Sequence, residues 1–260
     1  MPFQRTKVRA LDRDVYRLGL ACNFGVDERA FERGLERGME YVYWTTRRTG
    51  DAAPSLKRAL AKDRAKIVLA ATTTIGWFGG SVRRACEAQL KELGTDYVDV
   101  FILGWVGRGA LWTEGVVATL RKLKEEGKIR AIGISIHDRK RAAELAQTEP
   151  IELFMLRYNA AHPGAERDIF PKLPDPRQSI CAYTATSWRR LLRPPRGWTG
   201  PTMTAGDCYR FQLSSPFVDL ALTGPSSVEQ LDANLDAFEK GPLTAEEDAW
   251  IREYGAKVHG

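Results

Sequence analysis

The segment 41–50, YVYWTTRRTG, ends an apolar run on Tyr43 and Trp44 and then presents two adjacent guanidinium groups, Arg47 and Arg48. A phenol serves proton transfer once its pKa, about 10 when free, is drawn toward neutrality. Guanidinium forks match carboxylates and phosphates bidentately. Tyr43 and Arg48 are therefore candidates for acid–base work and anion holding, with Trp44 and Arg47 beside them as ligand contacts. The structural alternatives stay open: Tyr43 as core filler with its hydroxyl bonded, and both arginines as salt-bridged loop residues. His137, two residues after Ser135, is the third catalytic candidate, because imidazole titrates near neutral pH. A hydrogen bond at the start of the following helix would explain it equally well. Thr72, Trp105, Arg157 and Asn159 end further apolar runs and complete the candidate ligand-binding set. Trp77, Phe78, Trp188 and Trp198 add aromatics near the same loops, as a binding pocket or as rim cover.

Something must carry these residues to one place. Short apolar runs alternate with amphipathic stretches along the chain, the pattern of repeated βα units. Strands are expected at 17–23, 41–44, 66–73, 96–105, 129–136, 151–159, 179–185 and 218–224. Helices are expected at 27–39, 54–62, 79–94, 111–128, 139–147, 205–215, 227–238 and 244–258. Ser81 reads as the N-cap of the third helix, Gly94 and Gly127 as stops, and Thr244 with Glu247 as a capping box. Residues 189–204, rich in Pro, Gly and Trp, read as irregular. The sum is one α/β domain over 1–260, a (β/α)8 barrel, with a doubly wound sheet as the weaker alternative. Such barrels do their chemistry at the C-terminal strand ends, where every candidate above falls.

The formal net charge of +6 suggests an anionic partner, but basic and acidic residues interleave in KDRAK and RKLKEEGKIR, which reads as solvated helix faces rather than a nucleic-acid surface. A small molecule, anionic if the arginines hold it, is the expected partner. No apolar stretch reaches the ~18 residues of a membrane span, and no apolar leader opens the chain. Cys22, Cys86, Cys181 and Cys208 lack metal-like spacing, so reduced thiols in the cytoplasm and no metal are expected.

Five segments resemble aldo-keto reductases in that family's order: LKELGTDYVDVFIL, LKEEGKIRAIGISI, MLRYNAAHPGAERDIFP, AYTA and LTGPSSVEQLDANLDAF. The resemblance implies a barrel that reduces aldehydes and ketones with NADPH, through a Tyr whose pKa a Lys lowers, supported by an Asp and a His. Carried over residue by residue, those four functional groups are replaced. Tyr43 stands for the Asp, Arg48 or Thr49 for the Tyr, Thr72 for the Lys and Gly104 for the His. On the cofactor side, the resemblance places Ser135 at the nicotinamide amide and Tyr183 under its ring. Ile136 and Met155 replace two amide contacts. Thr223, Gly224, Ser226 and Ser227 fall at the adenosine phosphates and Asn234 at adenine. Gln230 replaces an Arg near the 2′-phosphate. The expected function is a divergent barrel that binds a small molecule or nucleotide at its mouth without ordinary carbonyl reduction. The alternatives are an NADP(H)-dependent oxidoreductase with a rebuilt site, and a non-catalytic interaction or regulatory subunit.

Overall fold

Eight apolar runs lie side by side as parallel strands and close on themselves. The computed structural model describes residues 3–22, 25–45, 52–147 and 150–259. Arg47 and Arg48 lie outside the described residues. The barrel strands are β3 (Leu18–Ala21), β4 (Tyr41–Thr45), β5 (Val68–Thr73), β6 (Val98–Val106), β7 (Ile129–Ile136), β8 (Leu153–Arg157), β9 (Ser179–Tyr183) and β10 (Leu220–Thr223). They pair in chain order, and β10 closes the ring between β9 and β3. The doubly wound alternative is thereby excluded.

Both faces of each strand are buried, which is why the runs look continuously apolar rather than alternating. One face fills the interior with Ala21, Tyr41, Tyr43, Val68, Ala70, Val100, Ile102, Ala131, Leu153, Met155, Cys181 and Leu220. The other packs against the helices, with Val42, Trp44, Leu69, Phe101, Ile132 and Phe154 in that outer layer.

The outer ring comprises α1 (Glu28–Glu36), α2 (Ala52–Lys62), α3 (Gly79–Leu93), α4 (Glu114–Glu125), α5 (Arg139–Leu145), the one-turn α6 (Ala165–Asp168), α7 (Ala205–Ser214), α8 (Val228–Glu239) and α9 (Ala245–His259). Asp27, Thr113, Asp138, Thr204 and Ser227 cap their helices by accepting from the first turn. Ser81 does not cap α3. Phe78 is the N-cap, and Ser81 sits in the first turn, donating to the Phe78 carbonyl at 2.6 Å. At α9, Thr244 and Glu247 exchange hydrogen bonds as a capping box.

Two strands escape the sequence pattern. β1 (Arg5–Val8) and β2 (Arg13–Tyr16) form an antiparallel hairpin whose Val8 and Val15 join the interior cluster from the N-terminal end. The hairpin thereby covers the end of the barrel interior opposite the C-terminal mouth.

Candidate functional site

Alternation along the strands decides which side chains reach the mouth. On β7, Ala131 faces the interior, so Ser135 does too, and His137 follows in the loop. On β8, Leu153 and Met155 face inward and Arg157 continues that row at the strand end. Arg157 is registered with Tyr183 on β9, as Met155 is with Cys181. Four of the predicted residues thus converge at the ends of β7, β8 and β9: Ser135, His137, Arg157 and Tyr183. Ser135 is buried, and the other three are half-buried.

The Tyr183 hydroxyl stands 3.4 Å from Nδ1 and 3.5 Å from Nε2 of His137, a loose contact at the outer limit of hydrogen bonding. Burial pushes the Tyr183 phenol up, while the Ser135 hydroxyl and the Arg157 charge act the other way. Burial pulls the His137 imidazole below its usual 6.5, and the charges of Arg157 and Arg108 pull it further. The imidazole is therefore mostly neutral at pH 7 and regains a proton only in more acidic solution.

Tyr43 faces the interior, 7% exposed. Burial pushes its phenol up to about 12, opposed by the nearby Thr72 hydroxyl, and no cation among the described residues acts on it. Thr72 Oγ1 is buried without a hydrogen-bond partner among the described residues. A Cβ on Gly104 would stand 3.0 Å from Thr72 Cγ2 and 3.1 Å from the Thr73 carbonyl oxygen, so these strand ends leave little space for a larger side chain at 104.

Several predicted residues lie elsewhere. Trp44 does not line the mouth. It is fully buried between β4 and the helices, because the residue after inward-facing Tyr43 must face outward. Asn159 is fully buried past the end of β8. Its Nδ2 donates to the Thr184 carbonyl at 2.7 Å, and its Oδ1 lies 3.1 Å from His162 Nδ1, which makes it a loop brace. Trp105 sits at a bulge in β6 with φ +55° and is 49% exposed. Trp198 packs edge to face on Tyr254 of α9. Sequence reasoning missed Arg108, whose charge reaches His137 from the loop after β6; no spacing signal marked it.

The β10–α8 segment forms a second, polar group. Thr223 is buried and accepts from Asn234 Nδ2 at 3.3 Å. Gly224 and Ser226 are exposed, and Ser227 opens the twelve-residue α8 as its N-cap. Gln230 Oε1 accepts from Ser226 N–H at 3.1 Å and from Ser226 Oγ at 3.0 Å. Backbone N–H groups and the helix dipole favour a phosphate here, once Gln230 releases Ser226.

A model of the aldo/keto reductase family matches residues 42–184, more than half of the chain. The chain belongs to the aldo/keto reductase family. It is 30% identical over 170 residues to methylglyoxal reductase YeaE of Escherichia coli, across 63% of this chain and 59% of that protein. It is 24% identical over 219 residues to aflatoxin B1 aldehyde reductase member 2 of Homo sapiens, across 63% and 61%. Each match spans less than two thirds of the relative's length. Among solved structures, an aldo-keto reductase from Klebsiella pneumoniae in complex with NADPH superposes with TM-score 0.80 at 24% identity, over 96% of this chain and 95% of that one. The glycerol dehydrogenase AKR11B4 of Gluconobacter oxydans gives 0.81 at 18%, over 100% and 98%. These likenesses establish the fold of an aldo/keto reductase.

Among the described residues of this aldo/keto reductase barrel, no group of three or more His, Cys, Asp or Glu side chains could hold a metal ion. No described helix is long and apolar enough to cross a membrane.

Proposed function

We propose that this chain is an NADP(H)-linked oxidoreductase of small aldehydes and ketones with a rebuilt proton-delivery group. The observation that carries the proposal is the convergence of Ser135, His137, Arg157 and Tyr183 at the mouth of a barrel of this family. Ser135 and the half-buried ring of Tyr183 suit a nicotinamide amide and its flat ring, and Ser226 and Ser227 at the start of α8 suit the phosphates. The bound cofactor supplies a hydride. Arg157 draws the carbonyl oxygen and steadies the negative charge that develops on it. Imidazolium His137 donates a ring N–H proton to that oxygen, and Tyr183 holds the ring in place. Tyr43, whose phenol burial pushes up, is left as an uncharged wall of the site. Two matched relatives carry methylglyoxal in their names, so a small 2-oxoaldehyde is the first substrate to try. Arg47 and Arg48, following β4, are proposed contacts for an anionic substituent.

The raised Tyr43 phenol, with no cation acting on it among the described residues, favours a second reading, a barrel that binds nucleotide or small anion without hydride chemistry. NADPH titration by fluorescence, followed by methylglyoxal and an aldehyde panel, separates the two. Binding with turnover that falls in His137→Asn supports the first. Binding without turnover on any aldehyde supports the second, and no binding of NADPH or NADP+ defeats the first and leaves the second only its small-anion form.

A further inference from the structure

Opposite the mouth, on the N-terminal face, a cavity of about 360 Å³ opens between β1 and the loop joining α7 to β10. Arg5, Arg9, Arg17 and Arg177 line it, and Asp219 is the one carboxylate in its wall among the described residues. Arg177 grips Asp219 with both nitrogens, at 2.7 and 2.9 Å. Arg5 is paired with Glu40 at 2.7 Å. Arg17 is fixed by four main-chain carbonyls, those of Phe3, Leu213, Val218 and Asp219, at 2.6–3.2 Å. Carbonyls satisfy its N–H groups but cancel none of its charge. Arg9 is exposed and forms no ion pair or side-chain hydrogen bond among the described residues.

With Asp219 and Glu40 each answering one guanidinium, two positive charges around the cavity remain uncompensated. Burial and the neighbouring Arg177 pull the Arg17 pKa down, while Asp219 holds it up, which is the mark of a partly desolvated cation short of counter-charge. The C-terminal end of α7 faces the same space and would repel an anion, but Arg17 covers its Leu213 carbonyl. Tying the N-terminal hairpin to the 213–219 loop accounts for Arg17, and tying the start of β9 to the same loop accounts for Arg177; neither gives Arg9 anything to do.

We propose that this cavity is a second binding site, for a small multivalent anion such as a phosphate ester or a polycarboxylate. Its volume lies at the lower end of the roughly 300–1,000 Å³ common for small-molecule sites, more than a lone ion needs. Arg9 supplies a free guanidinium fork at the rim, and Arg17, held by carbonyls alone, supplies a fixed positive charge in the floor.

Calorimetric titration of the full chain with pyrophosphate and with citrate, in chloride buffer, tests this. Saturable binding of at least one is expected, weakening as salt rises. Arg9→Glu should weaken it about tenfold or more while leaving the ligand-free melting temperature unchanged. Arg157→Leu, at the mouth, should leave it intact. Binding of pyrophosphate alone assigns phosphate chemistry, and of citrate alone carboxylate chemistry. No saturable binding of either, wild-type affinity in Arg9→Glu, or loss of binding in Arg157→Leu each overturns the proposal.

Discussion

The rings of Tyr183 and His137 meet edge to face at 71°, their centroids 6.2 Å apart, with the phenol oxygen almost equidistant from the two imidazole nitrogens. The pair joins β9 to the loop after β7, across the strand that carries Arg157. A half-buried imidazole, a phenol and a guanidinium thus share one strand-end cluster.

Reductive turnover should rise as pH falls. Burial and two arginines hold the His137 imidazole below its usual pKa, so its protonated form gains as the solution becomes more acidic. If imidazolium donates the proton, the rate climbs as pH drops through that lowered value and levels below it. His137→Asn should lower turnover by about 10²–10⁴-fold and flatten the profile. NADPH consumption against pH measures both; a wild-type rate that increases with pH rules out this donor. The same depressed pKa means the folded state binds fewer protons here than the unfolded chain. Its contribution to stability is complete above the unfolded value of 6.5 and is lost as pH falls through the folded one.

Arg157→Leu should move the His137 titration upward. Arg157 is the second cause of the depression, after burial, and Arg108 remains in the variant. The shifted pKa therefore rises but stays below 6.5. Proton NMR of the His137 ring in both proteins reads this directly, and an unchanged or lowered value shows that the two groups do not interact.

The barrel was legible because each strand is buried on both faces and reads as one apolar run. That same continuity hid orientation. YVYW offers no alternation to say that Tyr43 points in and Trp44 out, so Trp44 looked like a mouth residue. The plug hairpin has only Val8 and Val15 to insert among charged neighbours such as Lys7, Arg13 and Asp14, too faint a pattern to read as strand. Ser81 resembled an N-cap by type, but two glycines before it are already helical. The meeting of His137 with Tyr183, 46 residues later, follows from barrel closure and strand register, which no local spacing records.

Cofactor preference should respond to Gln230. Its side chain occupies the Ser226 N–H and hydroxyl at the start of α8, where the family resemblance puts an arginine. Gln230→Arg frees both Ser226 groups and adds a cation for the 2′-phosphate. The ratio of NADPH to NADH affinity should rise about tenfold, or ~1.4 kcal/mol. Parallel fluorescence titrations measure it, and an unchanged ratio places the 2′-phosphate elsewhere.

Asp99 should be a stability residue rather than a functional one. It is 1% exposed, and its carboxylate accepts from Leu69 N–H at 2.9 Å, Arg64 at 2.8 Å and Arg130 at 3.1 Å. The two guanidiniums flank the Tyr97 ring at 3.8 and 3.9 Å. Asp99→Ala strands a buried N–H and removes the counter-charge of Arg64, at a cost of about 3 kcal/mol. Urea unfolding should show a lower midpoint with an unchanged slope. A loss under about 1 kcal/mol would mean that solvent already screens the cluster.

Two glycines in helices should respond to alanine with opposite signs. A Cβ at Gly255 in α9 would lie 2.3 Å from the carbonyl oxygen of Ala160 and 2.7 Å from its Cβ. Main chain cannot retreat as a flexible side chain can, so α9 must lift from the loop after β8. Gly255→Ala should cost about 1–3 kcal/mol. A Cβ at Gly115 in α4 meets nothing within 4 Å, and alanine there removes unfolded-chain entropy at no packing cost. Gly115→Ala should therefore stabilise by about 0.5 kcal/mol. Urea midpoints of the two variants and the wild type decide the matter, since a stabilised Gly255→Ala would mean that α9 does not dock as closely as these distances require.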